Sequence, residues 1–389
     1  MREVRLDGSP VAVTALIGAL RAALDGSGPA VLPLAVGDER LRLAAAPGFP
    51  VEPGTALVVA TSGSTGTAKG VELSSAALRA SANATHERLG GPGGWLLALP
   101  AQHIAGVQVL VRSIMAGRDP VLLGTATGFR AKGFTEAAAD LLGTEGPHYT
   151  ALVPTQLGRL LDGDGLRALR AFDAVLVGGA ATTPTLLRRA LDAGVRAVTT
   201  YGMTETAGGC VYDGVPLAGV GMRIGDTGVI ELSGPTLATG YRPAASSGVS
   251  TASAAAFARG WFRTGDLGRI RPDGTLEVLG RPDDVINTGG MKVAAAEVER
   301  VLTAQPGVAE ACVVALPDPE WGQRVAAAVR PTHNGSPDAD ALRAAVRAEL
   351  GAPAVPAVLR VVDALPLRGP GKVDRAAVAA TLGRADPPG

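Results

Sequence analysis

The ten residues Thr61-Ser62-Gly63-Ser64-Thr65-Gly66-Thr67-Ala68-Lys69-Gly70 bring five hydroxyls, three glycines and one lysine together directly after an apolar run. Glycines let a backbone approach an anion with its N–H groups turned inward, and hydroxyls and an ammonium add donors. That chemistry suits a polyphosphate. The stretch is not the GxxxxGK[ST] loop of switch NTPases, because Ala68 precedes Lys69 and Gly70 follows it.

Four further clusters follow in order. Gly178-Gly179-Ala180 comes after an apolar run and offers a planar base a backbone without side chains in the way. Tyr201-Gly202-Met203-Thr204-Glu205 ends in a carboxylate able to hold Mg²⁺ as a hard oxygen ligand. Thr264-Gly265-Asp266 offers a carboxylate that can accept both hydrogen bonds of a ribose diol. Arg281-Pro282-Asp283-Asp284 lies at an apparent domain junction. Singly, each is an ordinary turn sequence; their joint occurrence points to a nucleotide site.

These residues need elements to position them. Ser9 and Pro10 start a helix whose apolar stripe is Val13, Leu16, Ile17, Leu20 and Leu24. Apolar runs at 56–60, 174–177 and 196–200 read as strands, the last ending at Tyr201-Gly202, and 74–89 and 107–116 read as helices. Such alternation predicts an α/β fold with doubly wound, mostly parallel sheets and ligands at the strand ends. After residue 221 short strand pairs appear, and 243–256 reads as a surface loop. From residue 281 a smaller α+β unit follows, so the expected domains are 1–280 and 281–389.

Composition narrows the function. Of 389 residues 47% are hydrophobic, enough for sizeable cores, and 36 basic residues balance 36 acidic ones. A protein that neutralises nucleic-acid phosphates would carry a basic excess, so no nucleic-acid partner is expected. Cys210 and Cys312 make neither a CxxC pair nor a disulfide framework, and four scattered histidines make no zinc spacing. With no apolar run of spanning length and no signal peptide, a cytoplasmic protein without a membrane span is expected. A homo-oligomer is left open.

The order of motifs resembles the acyl-adenylate-forming superfamily of acyl-CoA ligases, nonribosomal adenylation domains and luciferases, over about residues 55 to 375. The resemblance implies ATP, Mg²⁺ and CoA as cofactor and co-substrates and small molecules as partners. It places Thr61, Ser62, Gly63, Ser64, Thr65, Gly66 and Lys69 at the phosphates, with Thr65 and Glu205 toward the metal. Gly178, Gly179 and Ala180 fall at the adenine, Tyr201, Gly202 and Met203 among the ATP- and AMP-binding residues, and Asp266 and Arg281 at the ribose. Thr204 and Glu205 belong to the catalytic set, Asp283 is the hinge, and Lys372 in LPLRGPGKVDR is the adenylation lysine, set on a Gly/Pro-rich loop of a mobile small domain. Gly290 and Lys292 are implied for the thioester step, and Met291 stands where a glutamate is common.

Within the superfamily, Pro100–Gly106 and Thr204–Gly221 are similar to the o-succinylbenzoate–CoA ligases of menaquinone biosynthesis. That acid has a second carboxylate, which needs a partner in an apolar pocket. Arg112 is the expected reader of it, directly or through water, against the alternative of a surface arginine on an amphipathic helix. His103 is expected to gate or line the acyl pocket unless it is structural, and Gly208 and Gly209 to leave room for the aromatic ring. Another small aryl-acid–CoA ligase, or an enzyme loading a carrier protein, is the alternative. The early position of the phosphate loop leaves little material for a long fatty-acyl tunnel.

Overall fold

The computed structural model describes residues 1–61, 68–124, 128–243, 255–332, 335–368 and 372–384, with the backbone alone for Asp283, Arg368 and Lys372. The chain forms a large N-terminal and a small C-terminal domain. The first sheet is ordered β1 (Arg2–Leu6), β2 (Val31–Ala35), β3 (Thr55–Thr61), β4 (Lys69–Ser74) and β14 (Gly240–Tyr241). β1 to β3 are parallel; β4 and β14 add antiparallel. The second sheet is ordered β11 (Val215–Pro216), β10 (Gly208–Tyr212), β9 (Ala197–Met203), β8 (Ala174–Val177), β7 (His148–Leu152), β5 (Gly94–Leu97) and β6 (Val121–Leu122). Its last five members are parallel, and β10 and β11 close one edge antiparallel.

The second sheet is doubly wound because its strands are apolar on both faces. Trp95, Leu97, Tyr149, Ala151, Ala174 and Leu176 enter one core, which also takes α1 (Pro10–Asp25), α3 (Ser75–Leu89) and α4 (Ile104–Met115). Their alternates Leu96, Leu152, Val175 and Val177 enter another with α5 (Ala131–Leu142), α6 (Pro154–Leu161), α7 (Leu166–Ala171) and α8 (Pro184–Asp192). Successive strand residues face opposite sides, so a continuous apolar run buries two layers at once. α1 starts as expected: Ser9 Oγ accepts from Ala12 N at 3.3 Å, Pro10 is the first helical residue, and the whole predicted stripe is buried.

A third, antiparallel sheet is ordered β12 (Gly221–Ile224), β13 (Val229–Ser233), β16 (Trp261–Ile270) and β15 (Phe257–Ala258), with β17 (Leu276–Gly280) also on β16. Beyond it β18 (Val285–Thr288), β19 (Met291–Ala294), β20 (Val308–Asp318), β21 (Gly322–Pro331) and β22 (Val358–Val361) make the small domain's sheet. α9 (Ala295–Thr303), α10 (Ala339–Leu350) and α11 (Arg375–Gly383) pack on it through two cores of their own.

Two local expectations are corrected. β9 does not end at Tyr201-Gly202 but runs to Met203, because β10 pairs with it there, Gly209 opposite Gly202 and Gly208 opposite Met203. The Lys372 backbone is not in a loop: it opens β24 (Lys372–Val373), which pairs antiparallel with β23 (Leu367–Arg368). The expected loop at 243–256 lies almost wholly outside the described residues.

Candidate active site

Carboxyl ends of parallel strands are where open α/β sheets take ligands, and the strand ends of β8 and β9 carry two of the clusters. Gly178 follows β8, and a side chain there would collide with Thr200 Oγ1; at Gly202 it would collide with the Gly208 carbonyl. Both glycines therefore serve close strand packing as well as any ligand. Gly179 has φ +79°, a conformation that favours glycine, and Ala180 next to it is exposed.

Tyr201, Asp266 and Arg281 meet, although 65 residues separate the first two. The Tyr201 hydroxyl donates to Asp266 Oδ2 at 2.9 Å, and Arg281 Nε lies 3.6 Å from Oδ1. A side chain on Gly265 would strike the Arg281 guanidinium. Burial first, and the Asp266 charge second, push the Tyr201 hydroxyl far above the usual tyrosine range, so it stays a donor. The half-buried Asp266 carboxylate is held by Tyr201 on one oxygen and faces Arg281 with the other, and a carboxylate oxygen with one partner still has a lone pair for a diol hydroxyl. Cys210 close by is fully buried, and burial pushes its thiol up to about 12; a thiol held protonated is no nucleophile.

The phosphate loop spans two antiparallel strands: Thr61 ends β3, Lys69 opens β4, and the two are paired partners. Ser62, Gly63, Ser64, Thr65 and Gly66 lie outside the described residues. The Lys69 ammonium stands 4.8 Å from the centre of the Tyr241 ring. Thr204 and Glu205 begin the 3₁₀ turn Thr204–Thr206; Thr204 is buried, and the Glu205 carboxylate accepts the Tyr241 hydroxyl on Oε1 at 2.9 Å.

On the other side of β9 and β10, α3 and α4 enclose a polar group inside the core. Arg112 is not a surface arginine: it is only 3% exposed. Its Nη2 donates to the Tyr212 hydroxyl at 3.3 Å, which lies 3.0 Å from Thr85 Oγ1, and its guanidinium stands 5.1 Å from the centre of the Trp95 ring. Among the described residues no carboxylate pairs with it. Arg112 Nε, both amide atoms of Gln108, His86 Nε2 and Trp95 Nε1 are buried with no hydrogen-bond partner among the described residues. Gln108 and Arg112 are four residues apart, so they share one face of α4. Gly208 crosses that face, and a side chain there would come within 3.2 Å of Gln108 Cγ. At Gly209 it would meet Tyr212 at 3.0 Å. His103 is the N-cap of α4, half-buried, without a capping bond from its side chain.

A cationic, under-bonded site also sets the state of its histidine. Burial foremost, then the Arg112 charge, bring His86 down to about 4 from an ordinary 6.5. A histidine whose folded value is depressed contributes stability that is complete above pH 6.5 and is lost as pH falls toward 4, because the unfolded chain takes the proton first. His86→Gln should therefore flatten the acid limb of the stability–pH curve by up to about 3 kcal/mol, read from urea midpoints between pH 7 and 4.5. Equal acid sensitivity in the variant would exclude His86 as the source.

In the small domain, Lys372 lies three residues before Arg375, which is tied down. Arg375 Nη1 is 2.8 Å from Glu299 Oε1 and donates to the Val313 carbonyl at 2.6 Å, and its Nε is 3.7 Å from Asp284. Asp284 belongs to the 3₁₀ turn Pro282–Asp284 that also contains the hinge candidate Asp283. Gly289 and Gly290, with φ +56° and +81°, turn β18 into β19; Met291 and Lys292 just beyond are exposed. Lys292 makes no described hydrogen bond or ion pair, and the nucleotide cluster is not joined to it.

Sequence reasoning missed Gln108, His86, Tyr241 and Arg375. The four-residue spacing of Gln108 and Arg112 on an apolar helix was a usable signal; the others depend on contacts distant in sequence.

Residues 27–242 match the AMP-binding enzyme family and residues 297–372 its C-terminal domain. The chain belongs to the AMP-binding enzyme family. This AMP-binding enzyme is 46% identical over 372 residues to the probable 2-succinylbenzoate–CoA ligase of Mycobacterium tuberculosis, covering 94% of this chain and 95% of the relative. It is similar in structure to o-succinylbenzoate CoA synthetase from Bacillus subtilis in complex with the acyl-adenylate intermediate, with TM-score 0.72 and 27% identity, covering 93% of this chain and 80% of that one. The same synthetase in complex with ATP and magnesium ion gives TM-score 0.71 and 26% identity, covering 94% and 82%. Among the described residues no helix of this family member is long and apolar enough to cross a membrane.

Proposed function

We propose that this enzyme adenylates o-succinylbenzoate with ATP and then transfers the acyl group to CoA, within menaquinone biosynthesis. One observation carries the choice of acid: a buried guanidinium that has no carboxylate partner among the described residues, beside a buried amide with neither atom bonded among them. Unpaired buried charge costs several kcal/mol, so a site that keeps one is built to receive the opposite charge. A dicarboxylic acid supplies it and leaves its other carboxylate for activation. The 46% identical relative with a matching name supports the same acid.

A carboxylate oxygen attacks the α-phosphorus, the bond to pyrophosphate breaks, and a mixed anhydride with AMP forms. The thiolate of CoA then attacks the acyl carbon and the bond to AMP breaks. In our reading Asp266 and Arg281 hold the ribose, Tyr201 orients Asp266, the backbone from Gly178 to Ala180 and from Tyr201 to Met203 flanks the adenine, and Thr61 to Lys69 hold the phosphates. Glu205, with Thr65, would hold Mg²⁺, which would supply neutralising charge at the polyphosphate. Lys372 adds a cation at the α-phosphorus. We place the domain boundary at residues 280 and 281, the hinge at Asp283, and Gly290 and Lys292 along the thiol path. Dependence on ATP and CoA fits a cytoplasmic setting.

A panel of carboxylic acids in an ATP- and CoA-dependent AMP-release assay tests the reading. AMP release should require both o-succinylbenzoate and CoA. Turnover of plain benzoates with none of o-succinylbenzoate would overturn the choice of acid and leave the adenylation chemistry standing; turnover with a carrier protein and not with CoA would replace the acceptor.

A further inference from the structure

We propose that Tyr241 is a positioning residue for adenylation: its hydroxyl sets the rotamer of the Glu205 carboxylate while its ring seats the lysine of the phosphate loop. The inference rests on the reading of Glu205 as the metal-binding carboxylate.

The geometry that carries it lies on one short strand. Tyr241 donates to Glu205 Oε1 at 2.9 Å, which leaves Oε2 available to a cation. Three residues earlier, Ala238 N donates to the Glu205 carbonyl at 2.8 Å, so the same segment holds both the backbone and the side chain of Glu205. On the ring face, Lys69 Nζ stands 4.8 Å from the centroid, within the range of a cation–π contact. One side chain therefore meets the carboxylate of one motif and the ammonium of another.

Tyr241 is itself rigidly placed. β14 pairs with β4, putting Tyr241 opposite Val71, and Thr239 N donates to the Glu72 carbonyl at 3.0 Å. The next residue, Arg242, is buried and pairs with Glu72, and it donates to the carbonyls of Ala45, Ala46, Phe49 and Pro50. Phe257 meets the Tyr241 ring edge-on with centroids 5.6 Å apart. A fully hydrogen-bonded arginine on one side and a ring on the other leave the phenol little freedom. A phenol carries its proton at working pH and so donates to the carboxylate. Hydrogen bonds of this kind orient a ligating carboxylate, and losing them typically weakens metal binding about 10–100-fold.

Tyr241→Phe keeps the ring beneath Lys69 and removes only the donor. Manganese(II) binding to the full-length enzyme, measured by water-proton relaxation in the presence of an ATP analogue with a methylene bridge between the α- and β-phosphates, should weaken about 10–100-fold in this variant. In pyrophosphate exchange the Mg²⁺ concentration for half-maximal rate should rise by the same factor, while the rate at saturating Mg²⁺ and the KM of the acid stay within about threefold. A merely structural role would instead lower the melting temperature and leave the metal dependence alone. Glu205→Gln separates the two readings. If it binds manganese like the parent, Glu205 is not the ligand and the underlying assignment fails. If it loses binding while Tyr241→Phe keeps it within twofold, the proposal alone fails. Adding Tyr241→Phe to Glu205→Gln should produce no further loss, because the phenol acts through the carboxylate.

Discussion

Replacing Lys372 by alanine should lower the rate of adenylate formation by about 10²–10³ and leave ATP binding unchanged. The magnitude follows from the chemistry: negative charge gathers around the α-phosphorus as the carboxylate attacks, and one preorganised cationic donor aimed there is worth about 3–4 kcal/mol. The Lys372 backbone sits on a two-stranded antiparallel pair, and Asp374 and Arg375 lie two and three residues further along. The Asp374 carboxylate caps α11 by accepting from Ala377 N at 3.1 Å, and Arg375 binds Glu299. Substituting the lysine disturbs neither anchor, so a normal melting temperature is expected. Acid-dependent pyrophosphate exchange measures the first step alone; exchange at a near-parental rate would refute the role. Thioester formation from supplied acyl-adenylate bypasses that step and should be far less affected.

The second large effect is two-sided. Arg112→Met should lower kcat/KM for o-succinylbenzoate by about 10²–10³, since truncating one partner of a buried ion pair costs 2–5 kcal/mol. The unliganded protein should at the same time become more stable, because a well-packed apolar chain replaces a buried, unpaired guanidinium. A rise of about 2–4 °C in melting temperature without substrate is expected. Arg112→Lys should not restore activity, since an ammonium cannot reproduce the fork of donors beside Trp95 and Tyr212. A structural arginine would give the reverse: a less stable protein with its preference among acids intact. Loss of stability together with unchanged discrimination between succinyl-bearing and plain benzoates would dispose of the carboxylate-reading role.

Much of the architecture was legible because each element carried its own signal. Ser9-Pro10 and the stripe from Val13 to Leu24 define α1 without help from the rest of the chain, as the β-α alternation and its apolar runs define the second sheet. The end of β9 was not legible: Tyr201-Gly202 looks like a strand end in sequence, and only the pairing with β10 extends it. The Lys372 strand was missed for the same reason, its two residues being a strand only because Leu367 and Arg368 face them.

What this sequence determined alone was the inventory of chemistry: a donor-rich glycine loop, a carboxylate in each of two short motifs, and a lysine near the end. Local residue types suffice for that, because backbone freedom, charge and hydrogen-bonding capacity travel with the residue. Only the tertiary structure decided which groups act together. It buried Arg112 among Gln108, Trp95 and Tyr212 with no counter-ion among the described residues, joined Tyr201 to Asp266, and ran Tyr241 between Lys69 and Glu205. Burial and partnership depend on contacts between residues tens to more than a hundred positions apart, and those contacts decide whether an arginine is a solvated ornament of a helix or an unanswered charge awaiting a ligand.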